Sequence, residues 1–302
     1  MLEKPSWLRK KMPIGLKVNS MVREMDDHRL HTICQEACCP NQGECFARGV
    51  ATFLIMGNIC TRNCGFCAVS HGRPAPPDPE EPERIAREIA RLKLKFAVIT
   101  SVTRDDLPDG GSTVFSRLIQ RIKERCDNVG VEVLIPDFGG SASALKTVVD
   151  AAPDVLNHNV ETVPRLYPEV RPQADYRRSL ELLERTKEIN PQVITKTGLM
   201  VGLGESEDEV EALFRDLVAA RCDILTIGQY LCPSGDHFPV AEYVKPEVFE
   251  TYREMALNMG FKSVVSSPFT RSSFMAETSY KESKKLNATD LAGRQFGRQS
   301  GL

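Results

Sequence analysis

The sequence lacks a charge excess of either sign. Lys and Arg total 39 and Asp and Glu 41, for a net charge of −2. A near-neutral chain has no broad basic field of the kind that non-specific nucleic-acid binding needs. It also lacks long apolar runs: none approaches the roughly 18 residues of a membrane helix, so neither nucleic acid nor membrane is an expected partner. The start, Met1-Leu2-Glu3-Lys4-Pro5-Ser6-Trp7, has no apolar core of a secretory signal, which makes the cytoplasm the expected location. Low-complexity segments are missing, and a 41% hydrophobic fraction excludes disorder for most of the chain. Cysteine, by contrast, is plentiful: there are ten in 302 residues. In a reducing compartment such cysteines read as metal ligands or catalytic thiols rather than disulfides.

Seven of the ten cysteines fall between Cys34 and Cys67; Cys126, Cys222 and Cys232 are scattered. From about residue 52 the chain alternates short β-type runs with helical patterns. The runs are Thr52–Gly57, Ala97–Ser101, Glu132–Asp137, Val155–Val160, Thr195–Gly202 and Ile224–Tyr230. Each is short and rich in Val, Ile, Leu or Thr, as buried parallel strands are. Helix starts lie between them: capping-box spacings at Asp78–Glu81 and Ser206–Glu209, and candidate caps at Ser112 and Asp175. Six β–α units with right-handed crossovers predict an α/β protein whose parallel sheet curls into part of a barrel, with an open doubly wound sheet as the competitor. Gly202-Leu203-Gly204 follows a strand but lacks the full dinucleotide fingerprint and reads as a tight turn. Pro74–Pro82 reads as a rigid connection, and Lys281–Leu302, polar and Gly-containing, as a mobile tail.

Directly after the first predicted strand stands Gly57-Asn58-Ile59-Cys60-Thr61-Arg62-Asn63-Cys64-Gly65-Phe66-Cys67, with spacing C-x3-C-x2-C. Loops after barrel strands build the face where active sites lie. Three thiolates rather than four suit a [4Fe–4S] cube with one iron left open, whereas a structural zinc site is normally closed by four ligands. A zinc-binding structural module is the reading from a different class. In this setting the chain resembles the radical S-adenosylmethionine (SAM) superfamily. That resemblance implies a partial (β/α)6 barrel, SAM bound at the open iron, and reductive cleavage of SAM to methionine and a 5′-deoxyadenosyl radical.

A second group lies upstream, Cys34-Gln35-Glu36-Ala37-Cys38-Cys39-Pro40-Asn41-Gln42-Gly43-Glu44-Cys45. Its spacing offers two triplets, Cys34/Cys38/Cys45 or Cys34/Cys39/Cys45, and does not choose between them. C-x4-C-x5-C followed by C-x3-C-x2-C resembles the lipoyl synthase family. So do Thr100-Ser101-Val102-Thr103-Arg104-Asp105-Asp106-Leu107-Pro108-Asp109-Gly110-Gly111, Asn159–Val163, Lys196–Glu205 and Gln229–Ser234. The likeness runs from about Pro5 to Phe274.

The resemblance implies a cysteine-rich extension (1–50), the barrel (51–260) and a C-terminal extension (261–302). It makes Cys60, Cys64 and Cys67 ligands of the radical-generating [4Fe–4S] cluster and Cys34, Cys39 and Cys45 ligands of an auxiliary one. Cys38 is left as a small buried bystander. The family's fourth auxiliary ligand is a serine in an Arg-Ser-Ser-Tyr motif; the match here is Arg271-Ser272-Ser273-Phe274, giving Ser273, with a phenyl ring where tyrosine is usual. Ser101, Asn159, Glu161 and Lys196 are the candidate SAM contacts. Arg104, Asp105 and Asp106 are candidates for shaping the site, His158 reads as a packed residue, and Arg9-Lys10-Lys11 as a solvated basic patch.

The implied activity is insertion of two sulfur atoms at C6 and C8 of an octanoyl chain amide-linked to a carrier lysine. The auxiliary cluster is the sulfur source and is consumed, with one SAM used per C–H bond. Unactivated carbons offer nothing to a base or nucleophile, and a sulfide-rich cluster held beside the chain solves the problem by proximity. The implied partners are octanoylated carrier domains (acyltransferase subunits of 2-oxoacid dehydrogenases, the H protein of glycine cleavage), a low-potential donor such as ferredoxin or flavodoxin, and an iron–sulfur carrier that rebuilds the spent cluster. The nearest enzyme rivals, biotin synthase and methylthiotransferases, are expected to lack the paired cysteine and Arg-Ser-Ser motifs.

Overall fold

A computed structural model describes residues 3–9, 16–47 and 50–297; Lys10 and Lys11 of the basic patch lie outside them. The core is one eight-stranded sheet in sequential order: β1 (His31–Thr32), β2 (Thr52–Ile55), β3 (Phe96–Ser101), β4 (Gly130–Leu134), β5 (Val155–Asn157), β6 (Ile194–Val201), β7 (Ile224–Gln229) and β8 (Ser263–Ser266). β1 pairs antiparallel with β2; every later neighbour is parallel. All six predicted strands are present. The seventh parallel strand, Ser-Val-Val-Ser, escaped the pattern because two apolar residues between serines make too short a run. It carries the parallel sheet past the expected barrel boundary at 260, to Ser266.

The strands are buried on both faces, which is why they read as continuous apolar runs. Helices cover the outside with one apolar stripe each. Phe115, Leu118, Ile119 and Ile122 are buried on the helix Ser112–Arg125, and Val210, Leu213, Phe214 and Leu217 on Glu207–Ala219. Their spacing of three and four keeps them on one face, and each such side chain contributes about 1.5–3 kcal/mol on burial. The capping box at Ser206 and Glu209 is present in both directions. The one expected at Asp78 is not: the helix begins at Glu81, and Asp78 Oδ1 accepts from Glu80 N instead. At Ser112 the cap is supplied by Asp109, which accepts from Thr113 N. Gly202-Leu203-Gly204 is a turn closed by Glu205, whose carboxylate accepts from Gly202 N and Leu203 N.

Of the tail expected to be mobile, residues 281–297 are helical, and residues 298–302 lie outside the described residues. A helix runs Ala276–Gly297, anchored by Tyr280, which packs on Phe96 and donates to Asp154, and by the buried Ser279 and Ser283. Those anchors belong to the barrel wall and left no local mark in the polar tail sequence.

Candidate active site

The Cys60–Cys67 loop leaves β2 and is clamped by three other loops on the same end of the barrel. After β3, Thr61 N donates to Thr103 O, while Thr103 N and Arg62 N lie 3.3 and 3.4 Å from Cys60 Sγ. Two backbone N–H groups thus face that sulfur. After β5, Gly65 N donates to Val170 O, and Asn63 N to Gln173 Oε1. After β7, Phe238 N donates to Gly65 O, and His237 Nε2 lies 3.1 Å from Cys67 O with Ser234 Oγ 2.8 Å from Nδ1. A carbonyl only accepts, so Nε2 carries the proton and Nδ1 accepts from Ser234.

Charged residues brace the same loop. Arg62 is buried and binds Asp105 through two nitrogens and Asp137 through one, at 2.6–2.9 Å. Arg104, 1% exposed, grips Asp106 at 2.8 Å and donates to Met56 O. The charged run 104–106 is thus engaged with the Cys60 loop through Asp105 and with the end of β2 through Arg104. His158 is buried between Ile135 O and Ser179 Oγ, a packed residue as its sequence context suggested.

The candidate SAM contacts separate. Ser101 at the end of β3, and Asn159 and Glu161 beyond β5, stand on the strand-end face. Ser101 Oγ and Asn159 Oδ1 are buried with no hydrogen-bond partner. Glu161 holds φ = 65°; burial raises its pKa against the opposing pull of Arg171. Lys196 is elsewhere and is corrected: it is wholly buried within the barrel, with Nζ 2.8 and 3.0 Å from the Glu132 oxygens. An ammonium with no exposed atom and a committed carboxylate has nothing to offer a cofactor.

Arg171 was not singled out in the sequence. It donates to the carbonyls of Asn159 and Val160, stacks on Tyr167, and acts electrostatically on Cys64 and Glu161. Arg171 lies in no cysteine motif; its role comes from the fold.

The second cysteine group forms its own pocket, lined by Cys34, Cys39 and Cys45 together with Asn41, Arg271, Ser273 and Phe274. Two short helices, Ile33–Glu36 and Gln42–Ala47, carry Cys34 and Cys45. Asn41 Nδ2 donates to Phe269 O across 228 residues of sequence, tying this segment to the C-terminal turn. Cys38 does not line the pocket. It is exposed, at φ = 49°, which corrects its expected burial. Asn159 Nδ2 donates to Ser272 Oγ at 2.6 Å, so the segment after β5 meets the turn that lines the second pocket.

Burial pushes the Cys34 and Cys67 thiols up to about 12; these sulfurs stay protonated until a cation replaces the proton. The neighbouring thiols of Cys39 and Cys45 add to the rise at Cys34, and those of Cys64 and Cys60 to the rise at Cys67. Yet among the described residues no three His, Cys, Asp or Glu side chains converge on a point that one metal ion would occupy. Two triplets of thiols are the donor set that iron–sulfur clusters take. The orphaned oxygens of Ser101 and Asn159 fit a polar ligand beside the Cys60 loop.

The Radical SAM superfamily model matches residues 54–217. The chain resembles solved structures of the FeFe-hydrogenase maturase HydG from Carboxydothermus hydrogenoformans (TM-score 0.58, 15% identity, 76% of this chain and 56% of that one) and of methylornithine synthase (0.51, 13%, 71% and 70%). These share its fold. It is 51% identical over 285 residues to the lipoyl synthase of Alkaliphilus metalliredigens, spanning 94% of this chain and 98% of that one. It is 55% identical over 276 residues to that of Caldanaerobacter subterraneus, spanning 91% and 96%. With a radical SAM barrel and that degree of likeness along nearly its whole length, the chain belongs to the lipoyl synthase family.

Proposed function

We propose that this chain completes lipoyl groups on carrier proteins, and that its two cysteine groups divide the work. When bound, SAM on a reduced [4Fe–4S] cluster supplies one hydrogen abstraction per C–H bond, and a second cluster, consumed as substrate, supplies the sulfur that enters at C6 and C8 of the octanoyl-lysine. The residues for the first task are Cys60, Cys64 and Cys67, held by the loops after β3, β5 and β7. Ser101, Asn159 and Glu161 border them as the cofactor's polar contacts. Cys34, Cys39, Cys45 and Ser273 hold the sulfur donor. A serine oxygen is a hard ligand among soft ones and suits a cluster that must open.

The observation that carries this reading is the pocket in which Ser273 meets Cys34, Cys39 and Cys45 from opposite ends of the chain. A zinc module gives no reason for that meeting. We further assign residues 1–50 and the turn after β8 to the donor site and the barrel to the radical site, with the cytoplasm as the compartment. Among the described residues no helix is long and apolar enough to cross a membrane. The acceptors are octanoylated domains of 2-oxoacid dehydrogenase acyltransferases and of the glycine cleavage H protein; ferredoxin or flavodoxin supplies electrons, and an iron–sulfur carrier replaces the spent cluster.

Anaerobic reconstitution tests the assignment. Two cubes give about 8 Fe per chain. Cys60→Ala is expected to abolish SAM cleavage. Cys34→Ala keeps cleavage but leaves an octanoyl-lysine peptide without added sulfur by mass spectrometry. Lipoyl product from Cys34→Ala would refute the donor assignment.

A further inference from the structure

Asn159 stands where the two candidate cluster sites meet. Its amide nitrogen donates to Ser272 Oγ at 2.6 Å and to Glu161 Oε1 at 3.0 Å. Both partners accept there, which fixes which end of the amide faces them. Oδ1 is left buried with no partner. Glycine at position 198 of β6 makes the meeting possible: a Cβ there would lie 2.7 Å from Asn159 Oδ1 and 2.8 Å from Ser272 Oγ. Three elements thus touch at one point: β6, the segment after β5, and the turn after β8. Ser272 is the immediate neighbour of Ser273, whose side chain lines the pocket with Cys34, Cys39 and Cys45. The backbone oxygen of Asn159 is held by Arg171, the guanidinium that acts on Cys64.

We propose that Ser272 is a positioning residue whose hydroxyl holds the Asn159 amide with Oδ1 free to accept from SAM, so that seating of the Arg271–Phe274 turn in the donor pocket is coupled to cofactor binding at the Cys60 loop. This rests on the assignment of Asn159 to the cofactor. A turn displaced from the pocket leaves the amide without its 2.6 Å anchor, and SAM binds more weakly. Coupling between sites is reciprocal, so bound SAM in turn steadies the turn that carries Ser273.

The test uses the chain loaded with both clusters and kept unreduced, so that SAM binds without being cleaved. Equilibrium dialysis measures SAM affinity, iron content is counted, and hydrogen–deuterium exchange follows the Arg271–Phe274 amides. Ser272→Ala and Asn159→Ala are each expected to weaken SAM binding about 5- to 20-fold, within the usual range of site–site coupling. The double variant is expected to be no weaker than either single one, and Ser272→Thr, which keeps a hydroxyl, to recover most of the affinity. SAM slows exchange of the turn in the parent chain and not in Asn159→Ala. Parent-like affinity in Ser272→Ala with full iron, or singles that multiply in the double, overturns the proposal. Should Ser272→Ala lose donor-site iron, the exchange experiment on Asn159→Ala decides: SAM protection of the turn that survives there overturns it as well. Unchanged SAM affinity in Asn159→Ala would instead strike at the cofactor assignment itself.

Discussion

Lys196 Nζ lies 2.8 Å from Glu132 Oε1, and neither side chain has any exposed surface. Asn157 Nδ2 donates to the same carboxylate at 3.1 Å, so β4, β5 and β6 are joined by one polar knot inside the barrel. Removing one partner of a buried pair leaves an uncompensated charge and costs about 3–5 kcal/mol, whereas replacing both with apolar groups is far milder. Lys196→Met is therefore expected to lower stability by that amount in guanidinium unfolding, and Lys196→Met/Glu132→Leu to regain most of it. SAM affinity of the folded fraction should stay at the parent value. A specific loss of SAM binding in folded Lys196→Met would restore this lysine to the cofactor site.

A second buried group sets a pH dependence. Burial, aided by the nearby Arg171 charge, lowers His158 from 6.5 to about 4. Between those values the unfolded chain takes up a proton that the folded chain does not. Stability therefore rises with pH through that window and is lost as pH falls. A shift of this size is worth about 3 kcal/mol at most. His158→Gln should flatten the slope of unfolding free energy between pH 6.5 and 4; an unchanged slope would mean that another group carries it.

What could be read without coordinates follows from how local each signal is. Strands β2 to β7 were legible because both their faces are buried, and the Cys60 loop because its three cysteines lie within eight residues of sequence. Lys196 was misplaced because a lysine in an apolar strand reads the same whether it meets a ligand or a carboxylate from β4, 64 positions away. Spacing left Cys38 and Cys39 open and only the family resemblance chose Cys39; the exposure of Cys38 at φ = 49° is a backbone feature that spacing does not carry. Arg171 and His237 were missed for the same reason, since each acts on the cysteine loop from a distant loop of the barrel.

His237 reaches across 170 positions to the carbonyl of Cys67. Its other nitrogen is fixed by Ser234, so the ring is held in one orientation and fixes the last cysteine of the loop in turn. Small misplacement of a reacting group can cost about 100-fold in rate. His237→Ala is expected to slow SAM cleavage by about 10- to 100-fold with cluster iron retained, and to alter the electron paramagnetic resonance signal of the reduced cluster. His237→Gln, which can still offer an N–H to Cys67 O, should recover part of both. Parent-like signal and rate in His237→Ala would reduce the contact to packing.

Gly228 of β7 faces the turn that delivers Ser273. A Cβ at this position would lie 2.1 Å from Thr270 O and 3.1 Å from Arg271 Nη1, and the first of these is backbone, which cannot rotate away. The turn is also fastened to β7 by Ser267 N to Ile227 O and by Gln229 N to Pro268 O, so Gly228→Ala must shift the turn or the strand end that carries it. Either movement draws Ser273 away from the pocket of Cys34, Cys39 and Cys45 and, under the proposed ligand set, would leave the donor cluster on three thiolates. Gly228→Ala should therefore lose about half of its iron to a chelator faster than the parent chain, as Ser273→Ala should, and make at least about 10-fold less lipoyl product. The double variant should release iron no faster than Ser273→Ala alone, because both changes would remove the same proposed ligand. Chelation of Gly228→Ala at the parent rate would show that the close approach of β7 to Thr270 does not set the position of Ser273.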